Sequence, residues 1–320
     1  MRRWLWVVMA AGCVDANAPV HPGDDTPLSF DVPAGSSASA LTDRLATQGV
    51  IPSTWKWKLY LRQADASCVK AGKHNLARSM SMAQVLEALC APPVPDDEPF
   101  TVIEGWRILE IDAALAAKGW IKPGEYAKLA KSKAVKLPFE ITSPTLEGYL
   151  YPDTYRIEPK KFTAQAFIER QLATFQERFL AKKPDLGGHT LHEVVVVASL
   201  VEREEPSKAN RPVVTGVMWH RLKDGWNLGI DASSRYELPD WNNREVFLAH
   251  LRDPNDVYNT RLRPGLPPTA IGNPDVDSLD AAVHPKATEF MYYLHDAQGV
   301  FHGAKNSAEH EANRAKFNVY

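Results

Sequence analysis

From Leu191 to Glu205 the chain reads Leu-His-Glu-Val-Val-Val-Val-Ala-Ser-Leu-Val-Glu-Arg-Glu-Glu, and Pro206 follows. Leu191, Val194, Val195, Ala198 and Val201 fall on one helical face, and Pro206 disfavours helical geometry for Glu205, so the spacing predicts a helix that stops there. Glu202, Glu204 and Glu205 then crowd a helix C-terminus. The macrodipole is negative there and each carboxylate repels the next, so both effects disfavour ionisation. A carboxyl group that keeps its proton near neutrality can donate it in catalysis. The plainer reading is a solvated acidic helix end partly neutralised by Arg203, but the apolar helix ahead of it favours a buried cleft. Glu202 and Glu204 diverge by roughly 200° on a helix, so one of them serves a site and the other is structural. His192-Glu193 has no second His four residues on, which excludes the zinc-protease signature. A Gly-x-Ser-x-Gly nucleophile elbow and a phosphate-binding Gly-rich loop are absent as well.

The elements that must position these carboxylates belong to a 320-residue chain, 44% hydrophobic and 24% charged. That length allows two domains and that composition excludes disorder and fibre. Thirty-seven Lys and Arg against 39 Asp and Glu leave a net charge of -2, which excludes a phosphate-tracking nucleic-acid binder. Cys13, Cys68 and Cys90 form no Cys-x-x-Cys pair, so no metal site is expected. Cys68 and Cys90 either pair or remain two buried thiols.

A repeat organises the first part. Phe30 to Ile51 aligns without a gap on Phe100 to Ile121, with Phe, Val, Gly, Leu, Ala, Gly and Ile recurring in register. Each copy reads as strand, turn, helix and stop, with Leu41 and Leu45 in one helix and Ile111 and Leu115 in the other. Between the copies lie Trp55-Lys56-Trp57-Lys58-Leu59-Tyr60 and a helix expected from Ser81 to Leu89. Small strand-and-helix units beside aromatic residues resemble LysM-type glycan-binding modules, with Trp55 and Trp57 as sugar-stacking faces. The alternative is one core and one exposed tryptophan. Pro92-Pro93-Val94-Pro95-Asp96-Asp97 marks a boundary.

Met1-Arg2-Arg3 and the apolar run Trp4 to Val14 have the charged start and short hydrophobic stretch of an export signal. The run falls short of the about 20 apolar residues that span a bilayer. A lipidated Cys13, cleavage after Ala16-Asn17-Ala18 and a truncated membrane helix remain open, and each of them exports the chain. Asp15 to Asp25, polar and Pro-containing, reads as a tether.

Four further motifs carry a resemblance: Leu146-Glu147-Gly148-Tyr149-Leu150-Tyr151-Pro152-Asp153-Thr154-Tyr155, Tyr258-Asn259-Thr260, Gly265 to Pro274, and Ser278 to Pro285. With Ala198 to Glu204 they resemble, in order and spacing, the YceG-like (MltG) family of endolytic murein transglycosylases, from about Leu28 to Phe317. The resemblance implies an α+β fold, a LysM-like N-terminal module followed by a mixed α/β catalytic domain. The segments are then 1–25 (signal or membrane anchor, and tether), 26–97 (LysM-like) and 98–320 (catalytic, with a second strand-helix repeat at 98–137).

The second Glu of the family's Glu-x-Glu motif falls on Glu204, which the resemblance makes the catalytic acid. Glu147, Tyr151, Glu202, Asp231, Tyr258, Asn259 and Asn273 are the residues expected to bind substrate, although Asn273-Pro274 is equally a turn signal. The chain departs from the family at Gly229-Ile230-Asp231-Ala232, where only the Asp is kept. It departs again in the spacing from Phe301 to Glu309-His310. The implied reaction cleaves the bond between N-acetylmuramic acid and N-acetylglucosamine within peptidoglycan glycan strands and leaves 1,6-anhydro ends. One carboxyl group suffices, because the muramic 6-hydroxyl is the nucleophile. An ordinary glycosidase needs two, and Asp231 is a candidate for the second, so hydrolysis stays open. No cofactor is expected. The resemblance implies a membrane-anchored protein of the cell envelope facing the periplasm, with cell-wall synthesis enzymes as partners. A non-catalytic LysM-like scaffold that binds peptidoglycan is the competing reading.

Overall fold

Alternation in Leu28–Val32 turns Phe30 and Val32 inward and leaves Ser29 and Asp31 exposed, which makes this segment a one-sided strand, β1. In the computed structural model, which describes residues 15–319, β1 pairs antiparallel with β2 (Gly72–Leu76), Leu28 opposite Leu76 and Val32 opposite Gly72. Between them run two short helices, α1 (Thr42–Thr47) and α2 (Thr54–Tyr60). Helix α3 (Met82–Cys90) follows, started by a reciprocal capping box between Ser81 and Gln84, and it buries Met82, Val85, Leu86 and Leu89 at helical spacing. Trp57 is fully buried and donates its indole N–H to the carbonyl of Ala38 at 3.2 Å, whereas Trp55 is 59% exposed. Cys68 and Cys90 form a disulfide.

These elements belong to the first of two units, into which the chain divides between Asp97 and Glu98. The stretch expected to be a tether is docked within this unit. Pro19 bridges to Ser81, Ala83 N–H donates to the carbonyl of Ala16, and Asp25 accepts from the Ser79 hydroxyl at 2.5 Å. Its polarity serves pairing with the 78–83 turn, which composition cannot distinguish from solvation. The apolar run expected to be an export signal and Cys13 lie outside the described residues.

The second unit opens with the second copy of the repeat. Strand β3 (Glu98–Thr101), helices α4 (Ile108–Ala117) and α5 (Glu125–Ser132) and strand β4 (Thr154–Ile157) have the same order, and β3 pairs antiparallel with β4. The copy therefore closes beyond residue 137, because its return to the ladder first carries the 146–153 motif. Helix α6 (Ala164–Arg178) leads to α7 (Leu191–Glu204), α8 (Arg211–Lys223), α9 (Arg244–His250) and α10 (Val276–Val283), of which α7, α8 and α10 pack on one another. A hairpin of β5 (Tyr292–His295) and β6 (Phe301–Ala304) and a last helix, α11 (Ser307–Phe317), complete a mixed α/β fold. Among the described residues no helix is long and apolar enough to cross a membrane.

The disulfide links residues 22 apart, which corresponds to about 3 kcal/mol of lost denatured-state entropy. Cys90→Ser, or reduction, should lower the stability of the first unit by about that amount. Urea unfolding with and without reductant measures it, and coincident curves would reject the cross-link as a stabilising element.

Candidate active site

Helix α7 begins at a capping box between Thr190 and Glu193. Every residue from Val194 to Val201 is buried, so the single apolar face expected from the spacing is in fact a helix enclosed on all sides. It ends when Glu205 turns extended ahead of Pro206. The three carboxylates then leave in three directions, each to a different partner.

Glu202 pairs with Arg211 at 2.9 Å and accepts the Asp275 backbone N–H at 3.0 Å. Arg211 also holds Asp275 at 2.8 Å, and all three side chains are buried. Glu205, 1% exposed, accepts the Ser207 N–H and meets His295 at 2.6 Å. Glu204 is half-buried and its Oε1 accepts the Tyr293 hydroxyl at 3.1 Å. Arg203, expected to neutralise the cluster, lies over the Trp241 ring at 4.0 Å, and Arg211 takes that role. The crowding argument thus needs correction. Burial pushes the Glu204 carboxyl above its ordinary range against the opposing Tyr293 hydrogen bond; the charge of Asp231 raises it further, and His295 and Arg221 lower it.

Glu204 opens into a pocket of about 530 Å³. Asp231 stands in its wall, paired with Arg261. Thr260 builds that wall, since its carbonyl accepts from Gly229 N–H and its hydroxyl from Ile230 N–H at 2.9 Å. Arg221 also lines the pocket, donating to the carbonyls of Met291 and Leu228. An aromatic side is formed by Trp226, 44% exposed, edge-on to Tyr292 at 5.9 Å, with Tyr292 stacked on His310 at 5.2 Å.

Of the residues expected to bind substrate, only Asp231 shares this pocket with Glu204. Glu147 is 1% exposed and accepts from the Ile108 N–H at the start of α4, from Tyr236 and from Asn273; burial pushes it up to about 7 against the Ile108 and Tyr236 hydrogen bonds. Asn273 is fully buried. Its Oδ1 accepts the N–H groups of Gly148 and Leu150 at 2.9 Å and its Nδ2 donates to Trp106 C=O at 2.8 Å, so it staples three segments together. Gly148 has a φ of +92°, and a Cβ there would stand 2.5 Å from Ala270 and Val195, so only glycine fits. Asn259, also fully buried, donates to His250 C=O and accepts from Arg261 N–H. Tyr258 shares a hydrogen bond with Thr269 at 2.9 Å and packs on Tyr236. Tyr151 is buried beside a separate hollow with Asp153 and Arg178. The hydrogen-bonding groups of Glu147, Asn259, Asn273 and Tyr258 are taken up inside the protein, and a sugar would have to break those bonds.

Sequence reasoning missed Arg221, Trp226, Asn227, Arg261, Tyr292 and Tyr293. His310 was marked only by its Glu-His dipeptide, and the one signal that could have found Arg261 is that it follows the Tyr-Asn-Thr motif. Glu104, Glu202 and Asp275 bring carboxylate oxygens within 4.8 Å of one another. Arg211 and Lys208 already meet the charge of Glu202 and Asp275, so the cluster makes a poor metal site.

Comparison with known proteins adds three likenesses. An endolytic murein transglycosylase of Bacillus subtilis strain 168 is 27% identical over 315 residues, covering 93% of this chain and 87% of the relative. One of Streptococcus pneumoniae strain D39 is 22% identical over 337 residues, and the chain spans 60% of that longer relative. The crystal structure of a yceG-like protein of Listeria monocytogenes shares the fold, with a TM-score of 0.56 at 24% identity over 90% of this chain and 99% of that one. The pattern of the YceG-like family matches residues 30–316, and the chain belongs to that family.

Proposed function

We propose that this chain is an endolytic murein transglycosylase in which Glu204 serves first as general acid and then as general base. The observation that carries the reading is a carboxyl group raised toward its protonated form, hydrogen-bonded by one neutral hydroxyl and open to a pocket with an aromatic side. The Glu204 proton passes to the glycosidic oxygen as the bond from muramic C1 to that oxygen breaks. The resulting carboxylate takes the proton of the 6-hydroxyl, whose oxygen bonds to C1 and closes the 1,6-anhydro ring. No water enters, so one carboxyl group completes the cycle. Asp231 is tied to Arg261, which makes it a poorer nucleophile than a free carboxylate, and its place in the pocket wall leaves it the role of steadying positive charge at C1.

Trp226, exposed at the pocket, offers a face for a pyranose ring. In the first unit, the strand-and-helix arrangement and the exposed Trp55 support a LysM-like module that contacts glycan. Residues 98–320 form the catalytic segment in this reading. It assigns the protein to the cell envelope, attached to a membrane through its N-terminus beside cell-wall synthesis enzymes.

Glu204→Gln keeps size and hydrogen bonding but removes the transferable proton, so it should cost roughly 10²- to 10⁴-fold in turnover of purified peptidoglycan while staying folded. Products of the wild type should carry 1,6-anhydromuramic ends by mass spectrometry. Reducing ends would mean that water attacks, and the absence of product from the wild type would leave the scaffold reading. Because the folded-state pKa of Glu204 is raised, the acid form persists toward neutrality. The value of kcat/KM should fall as pH rises through that pKa. Trp226→Ala should raise KM roughly 2- to 10-fold with kcat nearly unchanged, taking stacking at about 0.5–1.5 kcal/mol. An unaltered KM would remove Trp226 from the binding surface.

A further inference from the structure

Successive side chains of a strand alternate, so Tyr293 and His295 project from the same side of β5. Both reach the end of α7. Tyr293 donates to Glu204 and His295 meets Glu205. Behind them Phe301, paired opposite His295 in the hairpin, stacks on the Tyr293 ring at 5.8 Å and 21° and meets His295 edge-on at 5.9 Å. The aromatic backing fixes the Tyr293 ring, and among the described residues its hydroxyl hydrogen-bonds to Glu204 alone.

The three carboxylates at this helix end differ in the kind of partner they receive. Glu202 has the guanidinium of Arg211, and Glu205 has an imidazole. Glu204 has a phenol. A cation in contact would hold the carboxylate ionised and leave no proton to donate. A neutral donor fixes geometry at a smaller electrostatic cost.

Resting on the assignment of Glu204 as the acid, we propose that Tyr293 is its positioning residue, fixing the carboxyl rotation so that Oε1 accepts and Oε2 carries the proton into the pocket. Both proton transfers then use one oxygen, outward to the glycosidic oxygen and inward from the 6-hydroxyl. The Tyr293 hydroxyl stays on Oε1 throughout and stabilises the carboxylate between the two steps. Asp231, Arg221, Arg261 and His295 also act on Glu204 through their charge. None of them has a hydrogen bond to it among the described residues.

Tyr293→Phe tests the proposal, because it keeps the ring on Phe301 and removes only the hydroxyl. Wild type, Tyr293→Phe, Glu204→Gln and the double variant are assayed on purified peptidoglycan across pH, with thermal unfolding as a control. The expected result is a kcat lowered roughly tenfold, the scale of one lost hydrogen bond, with KM little changed. The alkaline limb of kcat/KM should move to higher pH, since the carboxylate loses a donor. The double variant should be no slower than Glu204→Gln alone. A Tyr293→Phe enzyme with wild-type kcat and limb overturns the proposal, and so does one that loses activity with the limb unmoved or that slows the Glu204→Gln background further. Near-full activity of Glu204→Gln by itself would instead overturn the assignment of the acid.

Discussion

Helix α7 is enclosed from Val194 to Val201, and at its end the side chains of Glu202 and Glu205 are buried while Glu204 is half-buried at a pocket. Burying a charge without a partner costs several kcal/mol, so the surroundings must supply a counter-group for each. Arg211 arrives from the first turn of α8, His295 and Tyr293 from the hairpin, and the backbone N–H of Asp275 from the start of α10. These contacts join α8, α10 and the hairpin to the end of α7, beside the apolar packing of its middle. They also separate three like residues into one buried ion pair, one imidazole contact and one carboxyl exposed to a pocket.

The motifs that mark the family are mostly interior framework. Asn273 joins the turn before α4, the 147–150 segment and its own loop, while Glu147 receives the first N–H of α4. Gly148 lets Ala270 and Val195 approach its backbone. Thr260 holds the loop that presents Asp231, and Asn259 folds the loop that presents Arg261. Polar residues fully enclosed in this way are satisfied internally, as buried polar groups must be, and they act on the site by placing other residues. Beyond Glu204, Gly229, Asp231 and Arg261, the pocket lining comes from segments with less marked sequences: the end of α8 and the stretch after it, β5, and α11.

Arg221 shows how closely support and function are joined. Its guanidinium is committed to the carbonyls of Met291 and Leu228, which ties α8 to the residue preceding β5 and to the loop ahead of Asp231. Its charge meanwhile acts on Glu204 against the raising effects of burial and Asp231. A residue that shapes the pocket thus also acts on the protonation of the acid, which burial chiefly raises.

Much of this was legible in the residue order. The repeat at Phe30 and Phe100, the helix from about Ser81 to Leu89, the stop of α7 before Pro206 and the divergence of Glu202 from Glu204 all follow from interactions within a few residues, where period and turn chemistry act directly. The family resemblance carried the reaction class. The partners of the carboxylates were not legible, because Arg211, Tyr293 and His295 are ordinary residues until a packed fold brings them to the helix end. Nor was the interior role of Asn273, Asn259 and Glu147, since an amide or carboxylate that binds backbone and one that binds sugar look alike in sequence. Burial decides between them, and burial depends on contacts between residues far apart in the chain.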